Sequence, residues 1–169
     1  MLNVIIIGTG NVSHHICKAI EKVKNLKLVQ ICGRKKDLPK NFNQSISYCN
    51  NLKEINKADF YIISVTDDAI SKVSNELIVD TNSIVVHSSG STNMDQLCKH
   101  KNHGVLYPLQ TFSKSMKTNF KDVPIIIEGS SNSVLNKIKK ISTLLSKKVV
   151  VCNSCLLYTS DAADELRSV

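Results

Sequence analysis

Two glycines near the start of the chain have the spacing of a diphosphate-binding turn. The stretch Gly8-Thr9-Gly10-Asn11-Val12-Ser13 follows the pattern GxGxx(G/A), with serine at the third small position. The first glycine permits a tight turn, and the second lets a pyrophosphate approach the backbone without a Cβ in the way. Amides at the start of the following helix then meet the phosphate charge. The alternative is a plain turn between a strand and a helix. The residues expected to contact the cofactor here are Gly8, Thr9, Gly10, Asn11 and Val12.

A basic turn about 20 residues further on bears on which dinucleotide would fit. A domain selective for NAD places an acid there to hold the ribose 2′-hydroxyl, but this chain reads Cys32-Gly33-Arg34-Lys35-Lys36. The planar fork of Arg34 suits a 2′-phosphate, with Lys35 or Lys36 adding charge. The sequence therefore favours NADP, with NAD as the less favoured cofactor. The alternative is a solvated basic turn.

The elements around these residues predict a strand, a turn and a helix in that order. Val4 to Ile7 is an unbroken β-branched run, typical of a parallel strand buried on both faces. After the glycines an apolar stripe at helical spacing runs from Val12 to Val23. Leu26 to Cys32 then completes a βαβ unit.

The rest of the chain continues the alternation. Strands are predicted at Ile46 to Tyr48, Phe60 to Val65, Ile84 to His87, Val105 to Leu106, Pro124 to Ile127 and Val149 to Val151. Helices are predicted at Asp67 to Leu77, with Asp67 as the cap, at Asn93 to Lys99, and at Ser133 to Leu145. The fold class is therefore α/β: a doubly wound, mostly parallel sheet with helices on both faces. Right-handed crossovers would place every strand's carboxyl end along one edge, where ligands bind.

Three segments of the chain resemble a family of proteins that are classed as oxidoreductases by similarity. The family is that of the domain of unknown function 2520 type. The segments are Gly8 to Val12, Ile63-Ser-Val-Thr-Asp-Asp-Ala-Ile70, and His87-Ser-Ser-Gly90 continuing to Tyr107-Pro-Leu-Gln-Thr-Phe-Ser113. That family joins a Rossmann-like NADP-binding domain to a helical domain. It is similar in turn to pyrroline-5-carboxylate reductase and to deazaflavin-dependent NADP reductases.

The resemblance implies roles for two strand ends. Ser64, Val65 and Thr66 would present backbone and small side chains to the cofactor ribose and nicotinamide. The segment from His87 to Gly90 would face the substrate, and His87 is the first candidate for proton donor, with Ser88 and Tyr107 as alternatives. A histidine at a strand end also serves as a structural hydrogen-bonding group. Many relatives have histidine where this chain has Tyr107.

The expected function is hydride transfer between NADP(H) and a small imine or carbonyl substrate. A pyrroline-5-carboxylate reductase and a prephenate-type dehydrogenase are alternatives within that class. A different class is a dinucleotide-sensing or regulatory module without chemistry. Its support is the lack of an unmistakable acid or base.

Composition disfavours several other classes. The net charge of +8 comes from dispersed lysines, with aromatic residues at only 5%, so a nucleic-acid binder ranks last. The apolar runs are too short for a membrane span and no signal peptide is visible, so we expect a cytoplasmic protein. Six cysteines without a secretion signal predict reduced thiols. Cys152 and Cys155 form a lone CxxC, and His14 and His15 point about 100° apart as surface or phosphate-edge residues. We therefore expect no metal site.

The predicted domain organisation is a Rossmann-like NAD(P)-binding domain over residues 1–154, followed by a tail at 155–169. The tail resembles translated sequencing-adapter sequence, which predicts a truncated gene that lacks the family's helical domain. Homodimerisation of the full-length protein is expected through that domain. The alternative is a genuine short helix starting near Ser160.

Overall fold

The computed structural model describes residues 1–152. One eight-stranded sheet has the order β3-β2-β1-β4-β5-β6-β7-β8. The strands are β1 (Leu2–Ile7), β2 (Leu26–Cys32), β3 (Ser47–Cys49), β4 (Phe60–Ile63), β5 (Ile84–His87), β6 (Asn102–Pro108), β7 (Ile125–Gly129) and β8 (Val149–Val151). The helices are α1 (Asn11–Glu21), α2 (Asp67–Glu76) and α3 (Asn132–Leu145), with short 3₁₀ turns at Leu52–Glu54, Met94–Leu97 and Phe120–Asp122.

Alternation along β1 shows how the sheet is covered on both faces. Val4 and Ile6 pack into one apolar cluster, and Ile5 and Ile7 pack into a second cluster on the other side. Helices α1 and α3 contribute to the first cluster and α2 to the second. Because both faces are buried, the strand is apolar at every position rather than at alternate ones. The α/β prediction of a mostly parallel sheet with helices on both faces is confirmed.

The direction in which successive strands are added to the sheet reverses between β1 and β4, which are parallel neighbours. From β1 the chain winds outward through β2 and β3, and it then returns to β4 on the opposite side of β1. The first crossover carries α1 on one face, and the crossover after β4 carries α2 on the other. In doubly wound sheets this is the position of the ligand-binding crevice, which here would lie beyond the carboxyl ends of β1 and β4.

Three predicted features differ from the structure. Strand β7 pairs with β6 in antiparallel fashion, and β8 follows β7, so the expectation that every strand ends along one edge is wrong. The predicted helix at Asn93 to Lys99 is a single 3₁₀ turn. Thr66 occupies the N-cap position of helix α2 without a side-chain capping hydrogen bond, and Asp67 is the first residue of the helix.

Over the range 1–152, no helix is long and apolar enough to cross a membrane. Residues 153–169, including Cys155 of the CxxC pair and the predicted tail, lie outside the described residues.

Candidate functional site

The parallel strands β2, β1, β4 and β5 end level with one another. Their last residues lie in a single row of the sheet register: Cys32, Ile7, Ile63 and His87. The backbone ladder continues one residue further, with N–H to carbonyl distances of 2.7 to 3.1 Å. The residues that leave the sheet at this edge, and so build the crevice, are Gly33, Gly8, Ser64 and Ser88.

Gly8 makes the tight turn that the glycine pattern predicts. Its φ is +126°, a region that side chains rarely adopt. A Cβ here would lie 2.0 Å from the carbonyl oxygen of Ser64. The hydroxyl of Ser13, which is fully buried, donates to that same carbonyl at 3.1 Å. The first and third positions of the pattern therefore hold β1, α1 and β4 together.

Gly10 has a different environment. A Cβ on Gly10 would meet no atom of the described residues within 4 Å. It precedes α1, whose N terminus has no side-chain cap and no acidic residue in its first turn. Packing does not explain this glycine, whereas a ligand lying against the backbone does.

The segment that follows β6 packs against the start of α1. The side-chain amide of Asn11 donates to the carbonyl of Phe112 at 3.2 Å. Nε2 of His15 lies 2.9 Å from the carbonyl oxygen of Ser113, and its ring is 4.8 Å from that of Phe112. The segment from Tyr107 to Ser113, one of the three that resemble the oxidoreductase family, thus contacts the helix that begins at the glycine turn.

The basic turn after β2 is exposed. Arg34, Lys35 and Lys36 form no ion pair with any other residue that the structure describes. Gly33 lies beneath Thr9 of the glycine turn and Tyr48 of β3, since a Cβ on Gly33 would be 2.7 Å from each. The turn therefore adjoins the glycine turn with its charges unpaired.

On the other side of the crevice, hydroxyls form a short chain. Ser88 donates to Oγ of Ser64 at 2.9 Å, and both residues are largely buried. Val65 is partly buried and Thr66 is exposed at the start of α2. The structure thus brings Ser64, Val65 and Thr66 to the same crevice as Gly8.

His87 is fully buried. Its Nδ1 accepts a hydrogen bond from the backbone N–H of Ser89 at 3.2 Å, and its buried Nε2 has no hydrogen-bond partner within residues 1–152. Burial lowers the pKa of His87 to about 4, although the nearby backbone of Asn93 and the carboxylate of Asp67 act in the opposite direction. The ring is therefore neutral at pH 7, with its proton on Nε2, and out of contact with solvent.

Tyr107 lies on the part of β6 that extends past the other strand ends. Its ring covers Gly90, because a Cβ there would be 2.5 Å from Cε1 and Cζ of the ring. The residue is partly exposed and its hydroxyl makes no hydrogen bond within the described range. Of the three predicted proton donors, Tyr107 is the one with both exposure and an unengaged hydroxyl.

The expected surface position of the two adjacent histidines is wrong. His14 and His15 are both buried, with exposures of 3% and 5%. His14 packs edge-on against Phe42, and His15 packs against Phe112. Aromatic partners far along the chain supply this burial, and helical spacing alone does not reveal them. Among the described residues no cluster of three metal-ligating side chains occurs, and Cys17, Cys32, Cys49 and Cys98 are free thiols.

The chain is similar in structure to several solved oxidoreductases. No model of a known protein family matches the chain, and no curated protein matches it significantly. Among solved structures, a putative NADP oxidoreductase from Bacteroides fragilis is 28% identical with a TM-score of 0.85. The chain has a Rossmann-like fold. The resemblance of the three sequence segments to the family named above stays a prediction.

More distant solved structures share this fold. Prephenate dehydrogenase from Aquifex aeolicus, in complex with hydroxyphenyl propionate and NAD+, has a TM-score of 0.74 at 15% identity over 93% of this chain. Pyrroline carboxylate reductase from Plasmodium falciparum, with NADP bound, has a TM-score of 0.69 at 12% identity over 90% of this chain.

The chain is shorter than these neighbours. The Bacteroides match covers 99% of this chain but 64% of that protein. The Aquifex and Plasmodium matches cover 62% and 58% of those proteins. The chain therefore spans less than two thirds of their length.

Proposed function

We propose that this chain binds NADP(H) along the carboxyl edge of its sheet and serves as the dinucleotide-binding part of an oxidoreductase. The observation that carries the proposal is the contrast between Gly8 and Gly10. Contact with Ser64 requires Gly8 to lack a side chain, whereas no contact with any residue of the range 1–152 requires it of Gly10. The absent Cβ at Gly10 leaves the uncapped start of α1 open to a phosphate group.

Each end of the crevice fits one end of the cofactor. The amides at the start of α1 would hold the pyrophosphate, and Arg34 with Lys35 would hold the 2′-phosphate. Ser64, Val65 and Thr66 would contact the ribose and nicotinamide. The similarity of the chain to the putative NADP oxidoreductase from Bacteroides fragilis supports this choice of dinucleotide.

NADPH, when bound, supplies a hydride, and the chain's residues orient the reactants and manage the proton. We propose a small imine or carbonyl compound as substrate. Tyr107 has a partly exposed hydroxyl that is available for donation to the substrate. Ser88 lies at the same edge, although its hydroxyl is engaged with Ser64. Because its ring is sealed from solvent, His87 would not contact the substrate directly and would act through these residues.

Titration of the protein with NADPH and with NADH tests the cofactor assignment. We expect the wild type to prefer NADPH and Arg34→Ala to lose that preference, because the guanidinium contacts only the phosphate that NADH lacks. Lys40→Ala removes an exposed positive charge from the same connection and should keep the preference. Equal affinity of the wild type for both nucleotides would contradict the choice of NADP.

A dinucleotide-sensing module without chemistry is the second candidate. The burial of His87 favours it, since the histidine at the substrate edge is neutral and inaccessible. Stopped-flow measurement of NADPH oxidation across a panel of imines and carbonyl compounds separates the two. Turnover with any of them rejects the sensing module.

A further inference from the structure

We infer that Tyr48 is a positioning residue that holds the basic turn Gly33–Lys36 in the shape that admits the 2′-phosphate of NADP. This inference rests on the proposed function, because it names a determinant of specificity within the proposed site. Tyr48 carries no sequence signal of its own: it is a single tyrosine on a three-residue strand.

The first step is the packing around Gly33. A Cβ on Gly33 would lie 2.7 Å from Oη of Tyr48 and 2.7 Å from Cγ2 of Thr9. The phenol ring and the threonine methyl therefore close over the same glycine. Through this contact Tyr48 links the turn after β2 to the glycine turn after β1.

The second step is a single hydrogen bond. The hydroxyl of Tyr48 donates to the carbonyl oxygen of Lys35 at 2.7 Å. Gly33 is anchored separately, by its N–H to the carbonyl of Cys49 at 3.0 Å. Within the part of the chain that the structure describes, the bond from Tyr48 is the one hydrogen bond that reaches residues 34–38.

The third step concerns the donor itself. Partial burial raises the pKa of Tyr48, and the neighbouring Cys32 and Cys49 act in the same direction. The phenol therefore keeps its proton throughout the physiological range and remains a donor. A neutral donor suits a position beside Arg34, where a phenolate would compete with a phosphate for the guanidinium.

These observations together explain how an exposed turn can discriminate between two cofactors. An untethered Arg34 would lose conformational entropy on binding the phosphate, which lowers affinity. The bond to Lys35 fixes the residue next to Arg34 before any ligand arrives. This hydrogen bond should therefore increase the affinity for the nucleotide that carries the 2′-phosphate and leave the affinity for the one that lacks it unchanged.

The test is Tyr48→Phe, which keeps the ring over Gly33 and removes only the hydroxyl. We expect its Kd for NADPH to rise about three- to tenfold, on the scale of one lost hydrogen bond, with the Kd for NADH unchanged within about twofold. Tyr61→Phe is the matched control, since Tyr61 also donates to a backbone carbonyl, that of Asn56, on the segment before β4. It should leave the ratio of the two affinities unchanged.

A second measurement needs no nucleotide. Trypsin cleaves after Arg34, Lys35 and Lys36, and we expect Tyr48→Phe to speed cleavage at this turn several-fold without faster cleavage elsewhere. An equal loss of affinity for both nucleotides, an unchanged preference, or unchanged proteolysis would overturn the role of Tyr48. If the wild type binds neither nucleotide, the proposed function fails and the cofactor role of Tyr48 with it, whereas faster proteolysis alone would establish only the tether.

Discussion

The side-chain amide of Asn11 donates to the carbonyl oxygen of Phe112 across 3.2 Å, although 101 residues separate the two in the chain. Asn11 is the first residue of α1, directly after the glycine turn. Phe112 belongs to the segment that follows β6, beyond the end of Tyr107's strand. The bond therefore joins the proposed phosphate-binding corner to the proposed substrate side of the crevice.

Asn11→Ala tests that connection. Loss of the hydrogen bond should cost about 1 kcal/mol of unfolding free energy and increase hydrogen exchange in residues 109–116. Asn82→Ala is the control, because Asn82 is exposed and its side chain makes no hydrogen bond within residues 1–152. Denaturant unfolding and amide exchange measure the two effects. Unchanged exchange in that segment would mean that the bond does not hold it.

The two glycines of the turn should respond differently to alanine. Gly8→Ala places a Cβ 2.0 Å from the Ser64 carbonyl and forces a side chain into a positive-φ conformation. We expect it to lower the unfolding free energy by about 3 kcal/mol or more, or to prevent folding. Circular dichroism and denaturant unfolding measure this loss.

Gly10→Ala adds the same methyl group where no atom lies within 4 Å. Its unfolding free energy should stay within about 1 kcal/mol of the wild type, since only the preference for glycine over alanine at a helix start is lost. Affinity for NADPH should fall at least tenfold, because the Cβ occupies the space proposed for the pyrophosphate. Calorimetric titration checks this, and unchanged affinity would place the phosphate elsewhere.

The burial of His87 predicts a pH dependence of stability. Its pKa in the folded chain is about 4, below the value of 6.5 for an exposed histidine. The unfolded chain therefore binds the proton more tightly, and protonation favours unfolding. The stabilising contribution is complete above about pH 6.5 and is lost as the pH falls toward 4. The difference between the two pKa values corresponds to about 3 kcal/mol of unfolding free energy.

Substitution of His87 by glutamine removes this titration. Denaturant unfolding at pH 7.5 and pH 4.5 should show a smaller loss of stability in His87→Gln than in the wild type. His14 and His100, whose pKa values are also lowered by burial, remain in both proteins and cancel in the comparison. An identical pH slope in the two proteins would rule out a buried neutral imidazole at this position.

The strands in the parallel half of the sheet could be predicted because each is marked by the residues within it and directly beside it. β2 and β5 have the predicted bounds, since each is a largely apolar segment that ends at turn residues. β6 is seven residues long, although only Val105 and Leu106 look like strand. Its other residues are held by pairing with β5 and β7, and such pairing overrides intrinsic preference.

The same division applies to the crevice. The glycine turn is a contiguous motif, so spacing alone locates it. Contacts between distant segments have no local sequence pattern that would predict them. The hydrogen bonds from Tyr48 to Lys35 and from Asn11 to Phe112 are two examples. The sealed position of His87 likewise depends on the segment from Ser88 to Asn93 folding back over it, which is set by side-chain hydrogen bonds of Ser89.

The last prediction compares two buried serines with opposite surroundings. Ser13→Ala leaves the buried carbonyl of Ser64 without its partner and should cost about 1 to 3 kcal/mol of unfolding free energy. Ser142 in α3 is also fully buried, but its hydroxyl has no partner within residues 1–152. Ser142→Ala should therefore be neutral or raise stability by up to about 1 kcal/mol, because it removes an unpaired polar group and improves helix propensity. Denaturant unfolding of both variants checks the contrast, and equal losses would mean that volume matters here and the bond between Ser13 and Ser64 does not.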